Sequence, residues 1–155
     1  MKLRIVALGH KLPGWVDEAY GDYARRLPRD FSLDLVEIKP EARNRGRTTA
    51  QLLDSEANRI EAATRGFQVV ALDQKGAPWT TLELANALKR WREQAVAVAF
   101  VIGSADGLAE RIKRDASVIV SLSALTLPHG LVRVLLAEQI YRSVSVLQGH
   151  PYHRE

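Results

Sequence analysis

The charged residues Arg133, Glu138 and Arg142 stand out in a C-terminal segment that is otherwise apolar. Glu138 and Arg142 are spaced i,i+4, which suits an ordinary helix salt bridge. Beyond them, the tail Gly149-His150-Pro151-Tyr152-His153-Arg154-Glu155 clusters two histidines, a tyrosine and an arginine. Such a tail offers ring stacking and phosphate contacts, and it equally suits a polar end that frays. Its apolar content is low for core packing, so removing Tyr152 to Glu155 is expected to leave dimerisation and stability nearly intact.

Two loops could build a ligand site. Gly103-Ser104-Ala105-Asp106-Gly107 directly follows the most apolar strand-like segment and precedes a helix. Its glycines permit close backbone approach, and the helix start supplies unpaired N–H groups, although an ordinary strand-to-helix turn has the same composition. The second, Ser121-Leu122-Ser123-Ala124-Leu125-Thr126-Leu127-Pro128-His129-Gly130, is unusually apolar for a loop. Either its leucines complete the core, or a ligand or another subunit covers them. Neither loop is the GxGxxG of a dinucleotide-binding unit, and no Walker phosphate loop occurs.

The elements that must position these loops alternate. Strand-like segments run from Leu3 to Leu8, Ser32 to Ile38, Gln68 to Leu72, Val96 to Ile102 and Val118 to Leu122. Between them, Trp15, Ala19, Tyr23 and Leu27 recur at steps of four on a predicted helix. A second helix spans about Thr49 to Thr64, with Leu52, Leu53, Ala57, Ile60 and Ala63 facing inward. Thr80 or Thr81 caps a third, whose apolar side is Leu84, Leu88 and Trp91. The order predicts an α/β protein with a mostly parallel sheet, helices on both faces and one domain over 1–155. Ligands in such sheets gather beyond the carboxyl ends of the strands, where both loops fall. The last helix, Leu131 to about Leu147, is apolar on several sides, which a homodimer would explain economically.

Composition narrows the classes. No apolar run approaches the ~20 residues of a membrane span, and the N-terminus lacks the pattern of a secretory signal. Absence of cysteine excludes disulfides and thiolate metal sites and fits a reducing cytoplasm. The net charge of +4 favours anionic partners such as nucleic acid. Its densest patch is the predicted loop Lys39 to Arg47, where Arg43, Arg45 and Arg47 could grip phosphate or simply be a solvated connector.

The run Leu122-Ser123-Ala124-Leu125-Thr126-Leu127-Pro128-His129, the continuation Leu131-Val132-Arg133-Val134-Leu135, Glu138-Gln139 with Tyr141-Arg142, and the ending His150-Pro151-Tyr152-His153-Arg154 resemble one family closely. It is that of the large-subunit ribosomal RNA pseudouridine-N3 methyltransferases, within the SPOUT class of trefoil-knot enzymes. Leu3 to Gly9, Tyr23 with Arg25-Arg26, Leu72-Asp73, Gly76, Pro78-Trp79 and Ile102-Gly103 extend the likeness along the whole chain. The resemblance implies a cytoplasmic homodimer with a C-terminal trefoil knot, acting on ribosomal RNA with S-adenosylmethionine and no metal. It further implies a cofactor pocket lined by Leu72, Gly103, Leu122, Ser123, Ala124, Leu125, Thr126 and Leu127. Ser104 departs from the family, which commonly has a second glycine there, and is expected to reduce backbone freedom at the turn.

Methylating N3 requires alignment of donor and base and help for a weakly acidic N–H to lose its proton. Arg142, Arg133 or Arg154 would stabilise the developing imide anion, and Glu138, His129 and His153 are the candidates for proton handling. A ribosome-binding factor without turnover and a generic nucleotide-binding α/β enzyme are the alternatives. Ser104 alone favours the former, and the missing phosphate loop argues against the latter.

Overall fold

The computed structural model describes residues 1–43 and 46–153. Arg45 of the basic patch and Arg154 of the candidate site lie outside them. In chain order the elements are β1 (Lys2–Leu8), α1 (Gly14–Arg26), β2 (Ser32–Ile38), α2 (Thr49–Ala63), β3 (Gln68–Pro78), α3 (Thr81–Glu93), β4 (Val98–Ile102), α4 (Glu110–Asp115), β5 (Val118–Ser121) and α5 (His129–Gln148). A short 3-10 turn, Pro151–His153, follows α5.

The five strands form one sheet in the order β2-β1-β4-β3-β5, and every pairing is parallel. Side chains of alternate residues leave opposite faces. Leu3, Ile5 and Ala7 of β1 pack with Leu84, Leu88, Trp91, Leu136 and Ile140, whereas Val6 and Leu8 pack with Ala57, Ile60 and Ile112. One layer therefore contains α3 and α5, with α1 against α5, and the other contains α2 and α4. All five residues of β4, the middle strand, are buried, as its unbroken apolar run requires.

Two of the helices begin at side-chain caps. Thr48 and Gln51 form a reciprocal capping box at α2, and Thr80 and Glu83 form another at α3. On α1 the expected stripe is displaced, because Trp15 is 52% exposed and Val16 is the buried residue. Steps of four overshoot a helix turn by about 40° each, so three steps carry the pattern off one face. The inward stripe instead starts at Val16 and continues through Tyr20 to Leu27.

Strand β3 outruns its predicted end at Leu72. Its first part pairs with β5 up to Leu72, and after a register shift Ala77 and Pro78 pair with Val120 and Ser121. Gly76 permits the crossing, since a Cβ there would lie 2.6 Å from the Val120 carbonyl carbon. The several apolar sides of α5 are largely satisfied within the chain, between α1 and α3; Leu131 and Leu135 remain its exposed large apolar residues.

Candidate functional site

The carboxyl ends of β4, β3 and β5 lie side by side, and the loops leaving them enclose a cleft of about 660 Å3. Leu72, Gly103, Leu122, Ser123, Leu125, Thr126 and Leu127 all line it, and Ala124, exposed within the same loop, does not. Residues outside the expected cofactor set also line the wall: Asp73, Gln74 and Lys75 from β3, Lys113 from α4 and Val132 from α5. Asp73 was the most legible of these, since it directly follows Leu72 at the predicted carboxyl end of a strand.

Each loop is braced from within. In the first, the Gly107 N–H donates to the Ser104 carbonyl at 2.9 Å, closing a tight turn. The positive φ of this turn, 84°, falls on Gly107, so Ser104 needs no left-handed backbone. Gly103 is required for a different reason: a Cβ there would sit 2.5 Å from the Gly107 carbonyl oxygen. The Ser104 hydroxyl donates to Glu56 Oε2 at 3.0 Å and accepts from Arg43 Nη2 at 2.9 Å.

In the second loop Ser121 Oγ donates to the Ser123 carbonyl at 3.1 Å, and the Leu125 N–H donates to Ser123 Oγ at 2.9 Å. Gln74 Nε2 donates to Thr126 Oγ1 at 2.9 Å, strapping this loop to β3. Its leucines divide between the two expectations. Leu122 packs against the core, whereas Leu125 is 74% exposed at the cleft. Pro128 caps α5, which starts at His129, two residues before the predicted Leu131. Where α5 begins, a Cβ on Gly130 would lie 2.9 Å from Val16 Cγ2, so the close approach to α1 fixes the direction in which the helix leaves the cleft.

His129 lines the cleft, and of the six residues expected to stabilise the anion or handle the proton it is the only one among those described to do so. Burial, reinforced by the nearby positive charge of Arg133, pushes its pKa below 6.5, which keeps the imidazole neutral at pH 7. Arg133 itself is fully buried. Nη1 donates to Glu37 Oε2 and Nη2 to the Gly9 carbonyl, both at 2.7 Å. This overturns the expectation that Arg133 could face a base, because its guanidinium is spent on tying α5 to the ends of β1 and β2.

Glu138 and Arg142 form the expected helix pair, with Arg142 Nη2 2.6 Å from Glu138 Oε1. Tyr152 joins them, its hydroxyl donating to Glu138 Oε1 at 3.2 Å and its ring under the Arg142 guanidinium at 4.9 Å. Glu138 lies about two and a half helical turns beyond His129 on α5, so one chain does not bring this group to its own cleft. His153 is partly buried in the 3-10 turn and does not line the cleft either.

At the arginines described the basic loop is exposed, but it is not a free arm, because both side chains are paired. Arg43 pairs with Glu56 at 2.8 Å and Asp106 at 2.9 Å, and Arg47 with Glu41 at 3.0 Å. Among the described residues no group of three potential ligands could hold a metal ion, and no helix is long and apolar enough to cross a membrane.

A parallel sheet whose last three carboxyl ends and last loop enclose a single cleft defines a class. Residues 1–153 match the family model described as "Predicted SPOUT methyltransferase", and the chain belongs to that family of methyltransferases. Proteins of Burkholderia mallei (strain SAVP1) and Burkholderia pseudomallei (strain 668), both named "Ribosomal RNA large subunit methyltransferase H", are each 52% identical to it over 155 residues, covering 99% of both chains. Among solved structures, the tRNA (m1G37) methyltransferase from Aquifex aeolicus shares the fold with a TM-score of 0.55 at 14% identity, over 92% of this chain and 70% of that one.

Proposed function

We propose that this enzyme transfers a methyl group from S-adenosylmethionine to N3 of a pseudouridine in large-subunit ribosomal RNA. It does so in the cytoplasm, as a single-domain homodimer with a C-terminal trefoil knot and without a metal. The observation that carries the reading is full-length, 52% identity to the relatives named as large-subunit ribosomal RNA methyltransferases. The cleft suits such a donor. Leu72, Ile102, Leu122, Leu127 and Val132 offer apolar walls to an adenosine, and Asp73, Lys75 and Lys113 offer charges of both signs to an amino-acid end. When bound, the donor supplies a methyl group made electrophilic by its sulfonium.

The chain's own residues align the base and handle its proton. Neutral His129 at the cleft is a proton acceptor, and Arg142 is a cation for the developing imide anion. Arg142 is distant from the cleft within one chain, and a twofold axis across α5 resolves this. Leu131, Leu135, Glu138 and Arg142 share one stripe, whose exposed leucines would be covered by an antiparallel copy. Such a copy carries Glu138, Arg142 and His153 toward the cleft of the partner subunit. The test is methylation of ribosomes and of isolated RNA from cells lacking the modification, with sedimentation in parallel. The reading predicts donor-dependent methylation at N3 by a dimer. A stable folded monomer would refute the shared site, and absence of methyl transfer to either substrate would refute the activity.

A further inference from the structure

The Glu56 carboxylate, 1% exposed on α2, is not used by the chemistry above. Among the described residues its partners come from two segments. Oε1 accepts from the Glu41 N–H at 3.0 Å and from Arg43 Nη1 at 2.8 Å, and Oε2 accepts from Ser104 Oγ at 3.0 Å. Arg43 also spans the turn, with Nη2 at 2.9 Å from Ser104 Oγ and Nε at 2.9 Å from Asp106 Oδ2. Ser104 and Asp106 both line the cleft. An apolar residue at position 56 would pack beside Leu52, Ala57 and Ile60 without the cost of burying a charge, so packing alone does not account for it. The turn needs an external anchor, because Ala105 and Asp106 are exposed and one backbone hydrogen bond closes it.

We propose that Glu56 and Arg43 are positioning residues for the methyl-donor side of the cleft. They act through Ser104 and Asp106 to hold the Gly103–Gly107 wall in its binding shape before the donor arrives. This rests on reading the cleft as the donor site. A wall fixed in advance removes an ordering cost from binding and leaves the chemistry at the base untouched.

The test compares parent, Ser104→Ala, Glu56→Gln, the double variant, and Ile60→Val as a control for general destabilisation of α2. S-adenosylmethionine binding is measured by calorimetry, and kcat and both KM values on the RNA substrate. Ser104→Ala and Glu56→Gln should each weaken donor binding and raise the donor KM about tenfold, with kcat at saturating donor and the RNA KM within about twofold. The double variant should be no worse than the weaker-binding single variant, because both act through the same Glu56–Ser104 link. Ile60→Val should lower the unfolding midpoint and leave the donor KM unchanged. Parental donor affinity in folded Ser104→Ala overturns the proposal, as does an equal donor loss in Ile60→Val. Failure of the parent to bind the donor refutes the cleft reading, and this proposal with it. Should Glu56→Gln not fold, Ser104→Ala decides.

Discussion

The Tyr152 hydroxyl donates to Glu138 Oε1 at 3.2 Å, on the same oxygen that Arg142 grips, and its ring lies 4.6 Å from that of Tyr141. Tyr152 is thereby docked on α5, and these contacts argue that it adds to stability, where the composition of the tail predicts stability nearly intact without it. Tyr152→Phe should cost about 1 kcal/mol for the lost hydrogen bond, and Tyr152→Ala more, through loss of the ring contacts. Urea unfolding at neutral pH measures both. Burial first, then the charge of Glu138, push the Tyr152 hydroxyl from 10.0 up to about 12. The folded state thus keeps a proton that the unfolded state gives up. This stability is full below pH 10 and lost as pH rises toward about 12, so Tyr152→Phe should flatten the alkaline decline. Tyr20, also raised to about 12, leaves a remainder.

His129 should titrate below 6.5 by NMR, because burial and then Arg133 disfavour its cation. The unfolded chain takes up the proton first as pH falls. Stability present above the unfolded value of 6.5 is therefore lost on descending through the lower folded value. His129→Gln should remove that acid-side slope in unfolding measurements across the window, while leaving stability at pH 8 near the parental level. An imidazole midpoint at or above 6.5 would contradict the assignment.

Arg133→Met should destabilise the protein by about 2–4 kcal/mol, since Met fills most of the buried site but leaves the Gly9 carbonyl without its guanidinium donor and breaks the pair with Glu37. Guanidinium unfolding measures this. Because Glu37 is partly exposed, water can take over that end of the pair, and the cost should stay below that of stranding a buried carboxylate.

Gly103→Ala should weaken the donor cleft through the fold of its wall and not by filling the cleft. Its Cβ would meet the backbone of Gly107, which cannot swing aside as a side chain can. The expected result is a loss of about 1–3 kcal/mol of stability together with weaker S-adenosylmethionine binding, read from thermal unfolding and calorimetry. The glycine signal was legible in the sequence, but its cause was not.

Periodicity carried much of the architecture. The unbroken apolar run ending at Ile102 located the central strand, and Thr80 and Thr81 marked the start of α3, because both signals are local. The extension of β3 to Pro78 was hidden, since the polar residues Asp73 to Lys75 fall within the register shift between Leu72 and Ala77, and only β5 defines that shift. Seven of the eight cofactor positions expected from the family likeness meet in one cleft because they sit at three adjacent strand ends. Glu56 escaped notice although it lies on the inward side of α2, between Leu52 and Ile60. Its partners Arg43 and Ser104 are 13 and 48 residues away, beyond any local pattern.

Arg133 and the Gly9 carbonyl it binds are 124 residues apart in the chain, and the core around Leu3 and Ile5 includes Leu136, Ile140 and Val144 from the same last helix. Strand β1, partly covered by α3, therefore waits for α5 before its hydrophobic face is fully covered. Contacts of such long sequence separation slow folding, because the intervening chain loses its freedom before they repay it. Refolding should be slow for a protein of this size, and a nascent chain stalled before α5 should aggregate or require a chaperone.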